Sequence, residues 1–204
     1  MRAPAEHEVL DEAVKHRLDP IVAFQGARGA YADLAIERVW GSHVRRMPCR
    51  DFEGVVAAVT AGDAHYGVLP IRNAIIGEIP GVAAALSRAS LTVQQHVVVP
   101  VVHCLLAVPG ATLEGLRTVF SHPAALGQCQ SFVADHPWLT AVPSYDTAGA
   151  ALEVSSRRHL WEGAIADEQC AARYGLEVLA REVGDREGNH TQFAVLTLDA
   201  DTVR

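Results

Sequence analysis

IVAFQGARGAYADLAIERVW, residues 21–40, opens on a β-branched and aromatic run, is punctuated by Gly26 and Gly29, and continues from Ala30 to Trp40 with helical spacing. It is a strand, a turn and a helix, hence a βα unit. The same grammar recurs on either side of it. HVRRMP (43–48) reads as a strand, Asp51 as the N-cap of a helix ending near Gly62, and YGVLPI (66–71) as a buried strand. A helix is expected over Gly77 to Ala89, then an extended run over 91–108 that bends at Pro100. The second half alternates again: TVFS (118–121), a helix with Pro123 in its first turn, LTAVPS (139–144), a helix opened by Asp146, GAIAD (163–167), a short helix through Tyr174, EVLAREV (177–183) and TQFAVLTL (191–198). Such alternation calls for mainly parallel sheets covered by helices. The expected architecture is an α/β fold of two lobes with a cleft between them, where ligands of this class sit.

Composition bounds the function. The 204 residues carry 17 Lys and Arg against 24 Asp and Glu, a net charge of −7, with 50% hydrophobic residues. An acidic chain without a basic run argues against nucleic acid or an anionic membrane as partner. Its composition is globular. Residues 1–19 carry acids and bases throughout, read as a short helix or tail, and lack the apolar segment of a secretory signal, so a cytoplasmic protein is expected. The most apolar run, 97–110, is interrupted by Pro100, His103 and Pro109 and falls short of the roughly 20 residues a membrane span needs. Cysteines at 49, 104, 129 and 170 form no CxxC pair and read as reduced thiols. The ten histidines form no HxH or HxxxH spacing, so no metal site is expected. Gly26 to Gly29 is not a dinucleotide fingerprint, and neither a P-loop nor GxSxG occurs.

Five segments fall at the expected strand ends: GARGAYA (26–32), GVLPIRNAIIG (67–77), SHPAALGQC (121–129), DTAGAA (146–151) and GNHTQF (188–193). In that order and spacing they resemble the catalytic domain of prephenate dehydratases, over roughly residues 20–198. The resemblance implies a fold similar to type II periplasmic binding proteins, a cleft for a cyclohexadienyl dicarboxylate and a homodimer; no cofactor is expected, because the diene of such a substrate accepts the electrons itself. It also implies one lobe over about 20–98 plus 189–204 and another over about 99–188. No C-terminal regulatory domain is expected, and therefore no control by phenylalanine through one. Three departures stand out. Where dehydratases carry Pro-Ile-Glu-Asn-Ser this chain has Pro70, Ile71, Arg72, Asn73 and Ala74; Thr-Arg-Phe has become Thr191, Gln192 and Phe193; and Thr-Phe-Ser has become Ala30, Tyr31 and Ala32. The mixture looks like the stand-alone prephenate decarboxylases of antibiotic biosynthesis, which remove carbon dioxide without making the ring aromatic.

The chemistry turns on one contrast. Dehydration expels carbon dioxide and the ring hydroxyl together, so an acid must help the hydroxyl leave. Non-aromatising decarboxylation keeps the hydroxyl, moves the electron pair through a ring double bond and protonates a ring carbon, giving a dihydro-4-hydroxyphenylpyruvate. The diene is its own electron sink. Arg72 reads as a bidentate carboxylate donor that replaces an acid, with a solvated strand-end arginine as the competing reading. By the resemblance, Thr191 matches the threonine that assists hydroxyl loss and here orients the retained hydroxyl or a water. Asn73 and Gln192 can satisfy carboxylate or keto oxygens, beside Phe193 and Ala74. Ser121 and His122 precede the Pro123 helix and direct backbone N–H groups toward an anion, Ser121 as a plain N-cap being the alternative. His103 is a candidate proton donor because histidine titrates near neutral pH; His190 is a weaker one. Gly26, Gly29 and Gly77 read as backbone permissiveness near the ligand, with ordinary turn glycines as the alternative, and by the resemblance Ala30 is a substrate-binding position. A dehydratase with altered residues and a non-catalytic binding module remain the competing functions.

Overall fold

The computed structural model describes residues 19–87 and 90–199. The helix or tail expected at the N-terminus lies outside them, apart from Asp19. The chain runs β1 (Ile21–Gln25), α1 (Tyr31–Trp40), β2 (Arg45–Cys49), α2 (Phe52–Thr60), β3 (Tyr66–Asn73), β4 (Gly77–Glu78), α3 (Val82–Leu86), β5 (Leu91–Pro100) and β6 (Cys104–Ala107). It continues through β7 (Thr118–Ser121), α4 (Pro123–Gly127), α5 (Gln130–Asp135), β8 (Thr140–Pro143), α6 (Thr147–Arg157), β9 (Glu162–Ala166), α7 (Gln169–Tyr174), β10 (Glu177–Ala180) and β11 (His190–Leu198).

These strands build two sheets, ordered β2-β1-β3-β11-β5, with β4 on β3, and β10-β6-β9-β7-β8. The chain leaves the first sheet after Pro100, enters the second at Cys104 and returns through 181–189. The pairing corrects the expectation of mainly parallel sheets. β1 pairs β2 and β3 in parallel and β7 pairs β8 and β9 in parallel, but β11 runs antiparallel to β3 and β5, as β6 does to β9 and β10. Strands that carry the chain between sheets are not joined by a helical crossover, so nothing forces them parallel.

The first sheet is covered on both faces, which explains its near-continuous apolar strands. Val22, Phe24, Val68 and Val195 pack with Ala35 and Ile36 of α1, while Ala23, Leu69 and Leu196 pack with Val55 and Val59 of α2. Around the second sheet, Leu105, Leu106 and Ile165 pack with Ala148, Ala151 and Val154 of α6. The helix expected over 77–89 is a correction. Gly77 and Glu78 pair with β3 instead, and Pro80 with Gly81 at φ 87° holds the helix back until Val82.

The loop between β1 and α1 is clamped from several sides. Gly26 (φ 106°) and Gly29 (φ 90°) occupy the left-handed region, and a Cβ on Gly29 would stand 3.1 Å from the Cys170 sulfur on α7. The Gly29 N–H donates to Asp33 Oδ2 at 2.7 Å, and the Tyr174 hydroxyl donates to the Arg28 carbonyl. Asp33 is buried, and Arg46 Nε, on an equally buried side chain, lies 2.6 Å from its Oδ1 in a close ionic contact. Removing one partner of a buried pair leaves the other charge uncompensated. Asp33→Asn is therefore expected to lower unfolding free energy by about 3 kcal/mol, read from the denaturation midpoint at unchanged m-value.

Candidate active site

A cavity of about 490 Å³ opens between the two sheets. From the first sheet and its helices come Ala30, Tyr31 and Ala32 at the head of α1, Pro70 and Asn73 at the end of β3, and Thr191 and Phe193 on β11. The second contributes His122 and Ala125 around α4, Gln128, and Asp146 with Thr147 at the head of α6, while His103 reaches in from the crossing segment.

Asn73 organises the polar half of this cleft. Its Oδ1 accepts from the backbone N–H groups of Ile75 at 2.9 Å and Ile76 at 3.2 Å, which fixes which end of the amide is oxygen. The Nδ2 end therefore donates, sharing its two protons among Asn189 Oδ1 (2.9 Å), Thr191 Oγ (2.9 Å) and the His190 carbonyl (3.0 Å). Asn189 Nδ2 in turn donates to Gln128 Oε1 at 3.0 Å. That oxygen also faces His103 Nε2 at 2.8 Å, so Nε2 carries the proton. His103 Nδ1 is left as a lone pair 3.2 Å from the Tyr31 hydroxyl, which also lies 2.9 Å from the Val102 carbonyl. One backbone turn thus sets a tautomer on the far side of the cleft. Thr191 Oγ accepts from Asn73, which leaves its own proton available to the cavity.

Asp146 ties the lobes at a second point. As N-cap of α6 its Oδ2 accepts from Gly149 N–H at 3.1 Å, and it accepts from Ala27 N–H of the β1–α1 loop at 2.8 Å. Burial pushes its carboxyl up, against the pull of these donors. Burial pushes both histidines down: His103, opposed only by its bond to Gln128, and His122, opposed by Asp146. His122 Nδ1 accepts from Ala124 N–H at 3.2 Å and is the cap of α4, so the cap falls one residue after Ser121. Ser121 is fully buried and donates to the Ile165 carbonyl at 2.6 Å, away from the cleft. Among the described residues no Lys or Arg lines the cavity.

Of the residues picked out from sequence, Thr191, Asn73, Phe193, His103, His122 and Ala30 meet at the cavity. Arg72, Gln192, Ala74, Gly29 and Ser121 do not line it. Gln192 faces away by ordinary strand alternation between Thr191 and Phe193, whereas for Arg72 the reason is a β-bulge. Gln192 pairs with Arg72 and Phe193 with Pro70, so Ile71 is an extra residue on β3. Simple alternation from Val68 and Pro70 would aim Arg72 at the cleft; the bulge inverts the face, bringing Asn73 in beside Thr191 and turning exposed Arg72 away with its partner Gln192. Ala74 is exposed and its N–H donates to the His190 carbonyl at 2.9 Å, while Gly29 packs on Cys170.

The family model for prephenate dehydratase matches residues 22–201. The chain belongs to the prephenate dehydratase family. It is 38% identical over 175 residues to arogenate dehydratase/prephenate dehydratase 1 of Arabidopsis thaliana, covering 86% of this chain and 44% of that protein. It is 36% identical over 178 residues to a bifunctional N-acyl-homoserine lactone acylase/prephenate dehydratase of Komagataeibacter europaeus, 86% of this chain and 62% of that one. The chain thus spans roughly half the length of the curated relatives it matches. Among solved structures it superposes on the prephenate dehydratase of Arthrobacter aurescens in complex with L-Phe with a TM-score of 0.78 at 30% identity, covering 88% of this chain and 60% of that one.

Four residues of this prephenate dehydratase-family cleft escape a reading by residue type: Tyr31, Gln128, Asp146 and Asn189. The first three sit inside segments that carry the family resemblance, and Asn189 in the GNHTQF segment, but each gains its role only by pairing across the lobes. Among the described residues the structure contains no group of three His, Cys, Asp or Glu side chains that could hold a metal, and no helix long and apolar enough to cross a membrane. Cys104, Cys129 and Cys170 are free and buried, and Cys129 and Cys170 are pushed up to about 12 by that burial.

The histidine shifts fix a sign. His103 is lowered from the ordinary 6.5, so below that pH the unfolded chain binds a proton the folded one resists. Its contribution to stability is complete above pH 6.5 and is lost as pH falls through the lower folded value. Asp146, raised from 3.8, acts oppositely at lower pH. Thermal unfolding from pH 7.5 to 5.5 should therefore show a shallower loss of Tm in His103→Gln than in the parent.

Proposed function

We propose that this cleft binds prephenate and removes its ring carboxylate as carbon dioxide while the ring hydroxyl is retained. The observation that carries the reading is the chemical character of the cavity wall. It offers hydroxyl groups and two imidazoles whose protonation desolvation disfavours, and, among the described residues, no Lys or Arg. Loss of the hydroxyl needs a proton delivered to it as it leaves. His103 does not reach a leaving hydroxyl directly, since one nitrogen is bonded to Gln128 and the other faces Tyr31. Asp146 already accepts two backbone N–H groups. Decarboxylation asks less of the wall: desolvating the carboxylate favours its loss, and the diene accepts the electrons.

With no cation lining the cleft among the described residues, substrate carboxylate is best met by backbone. Ala30 at the N-cap of the ten-residue α1 has no polar side chain to cap the helix, so the first turn meets the cavity wall without a side-chain cap and with the positive end of the helix dipole there. Thr191 and Thr147 add hydroxyl donors. Electron flow then runs from the breaking carbon–carbon bond into the ring, and one proton is taken up. A homodimer belongs to the same proposal: β5 is an edge strand of its sheet and exposes Val93 and Val98.

Dehydration to phenylpyruvate is the second reading, favoured by the Thr191 hydroxyl, whose proton is free to reach a leaving group. Proton NMR of the product after incubation with prephenate in the presence of a chelator separates the two. The expected product keeps its carbinol and non-aromatic ring protons, and formation of phenylpyruvate would overturn the proposal. With the bulge turning residue 72 outward, Arg72→Ala is expected to keep kcat/KM within about twofold, far from the ten- to hundredfold loss that follows removal of a charged carboxylate donor worth roughly 1.5–3 kcal/mol.

A further inference from the structure

The hydroxyl of Tyr31 is one proton facing two acceptors, the Val102 carbonyl at 2.9 Å and His103 Nδ1 at 3.2 Å. With His103 neutral and its proton on Nε2, one of those acceptors goes without. A single added proton on Nδ1 would complete the set, since Nδ1–H would donate to the Tyr31 oxygen and Tyr31 would donate onward. The geometry is that of a site waiting for one proton. His103 and Gln128 also form the wall shared with a second cavity of about 500 Å³, closed by the segment that carries Glu182, Asp185, Arg186 and Glu187. His103 therefore stands between the cleft and a polar, water-accessible space.

We propose that Tyr31 and His103 are the proton-delivery pair of this cleft: His103 takes a proton from the second cavity, and Tyr31 passes it to the ring carbon as carbon dioxide leaves. This rests on the reading of the reaction given above. In the step, the bond from the ring carbon to its carboxylate breaks and its electron pair becomes a ring double bond. The displaced π pair forms a bond from the carbon beside the carbinol to the Tyr31 proton, while the Tyr31 oxygen takes the Nδ1 proton of His103. His103 ends neutral, one proton is consumed per carbon dioxide, and nothing is oxidised or reduced.

Charge argues for this timing. Burial keeps His103 neutral in the empty cleft and holds the Tyr31 phenol well above its ordinary range, so Tyr31 does not ionise by itself. A dianionic substrate reverses the balance at His103 by favouring the imidazolium. The other groups facing Tyr31 are the Asp167 carboxylate and the thiols of Cys104, Cys129 and Cys170, all of which raise it further. Toward the substrate the cation discharges through Tyr31, because its other nitrogen is engaged by Gln128. An acid so confined protonates one point on the substrate, which is what keeping the hydroxyl requires.

Tyr31→Phe removes the relay and little else. Turnover of prephenate in D2O, with the product read by proton and deuterium NMR, tests it. The parent should place deuterium on one face of one ring carbon. The variant should lose about a hundredfold in kcat with KM within about threefold, and scatter deuterium over both faces. His103→Gln keeps a donor toward Gln128 but cannot titrate, so its residual kcat should be flat from pH 5.5 to 8, where the parent's falls as pH rises. A Tyr31→Phe enzyme within twofold of the parent and equally stereospecific, or a His103→Gln enzyme with the parent's pH profile, would overturn the relay alone. Phenylpyruvate from the parent itself would instead overturn the reading of the reaction, and the relay with it.

Discussion

Two backbone N–H groups, those of Ile75 and Ile76, donate to the side-chain oxygen of Asn73, and the polar architecture of the cleft follows from that bond. It orients the Asn73 amide, which orients Asn189, which presents an N–H to Gln128 and so leaves the Gln128 oxygen to accept from His103. Each member of the chain comes from a different segment, and the chain passes from the first sheet to the second. An amide reversed anywhere along it would leave a buried donor facing a donor, at a cost of about 1–3 kcal/mol. The fold thus holds its lobes in register with the same bonds that choose a histidine tautomer.

The cleft is closed from the other side by charge and close packing. Asp146 caps α6 and holds the Ala27 N–H, Cys170 and Tyr174 press on the loop at Gly29 and Arg28, and buried Asp33 gathers Arg46 and the Gly29 N–H beneath it. These contacts hold the head of α1 at the cavity wall, where in the proposed reading its uncapped amides supply positive potential in place of a lining cation. An anion site built from backbone is fixed in place and cannot lose a proton. It leaves the titrating groups of the wall free for proton transfer.

Much of this was legible in the sequence because local grammar and tertiary structure agree. The strands of both lobes, the Asp51 and Asp146 caps and the break at Pro100 follow from punctuation and periodicity. What misled was non-local. The run from Gly77 reads as helix until β4 takes its first residues into the sheet, and Arg72 reads as facing the ligand until the extra residue at Ile71 inverts the strand. A bulge leaves no mark in composition, and one residue of register exchanges the two faces. Tyr31, Gln128 and Asn189 looked ordinary for a related reason: Gln128 meets Asn189 across 61 positions and Asn73 meets Asn189 across 116, distances no pattern of spacing encodes.

The account stands on the direction of that hydrogen-bond chain, and the tautomer of His103 reports it directly. Long-range proton–nitrogen correlation NMR at pH 7.5, with His103 assigned through His103→Gln, distinguishes a protonated from an unprotonated ring nitrogen. A proton on Nε2, with Nδ1 bare toward Tyr31, is the predicted result, and it should be lost when Asn189→Leu breaks the chain. A proton resident on Nδ1 in the parent protein would mean that the amides point the other way, and would contradict the account.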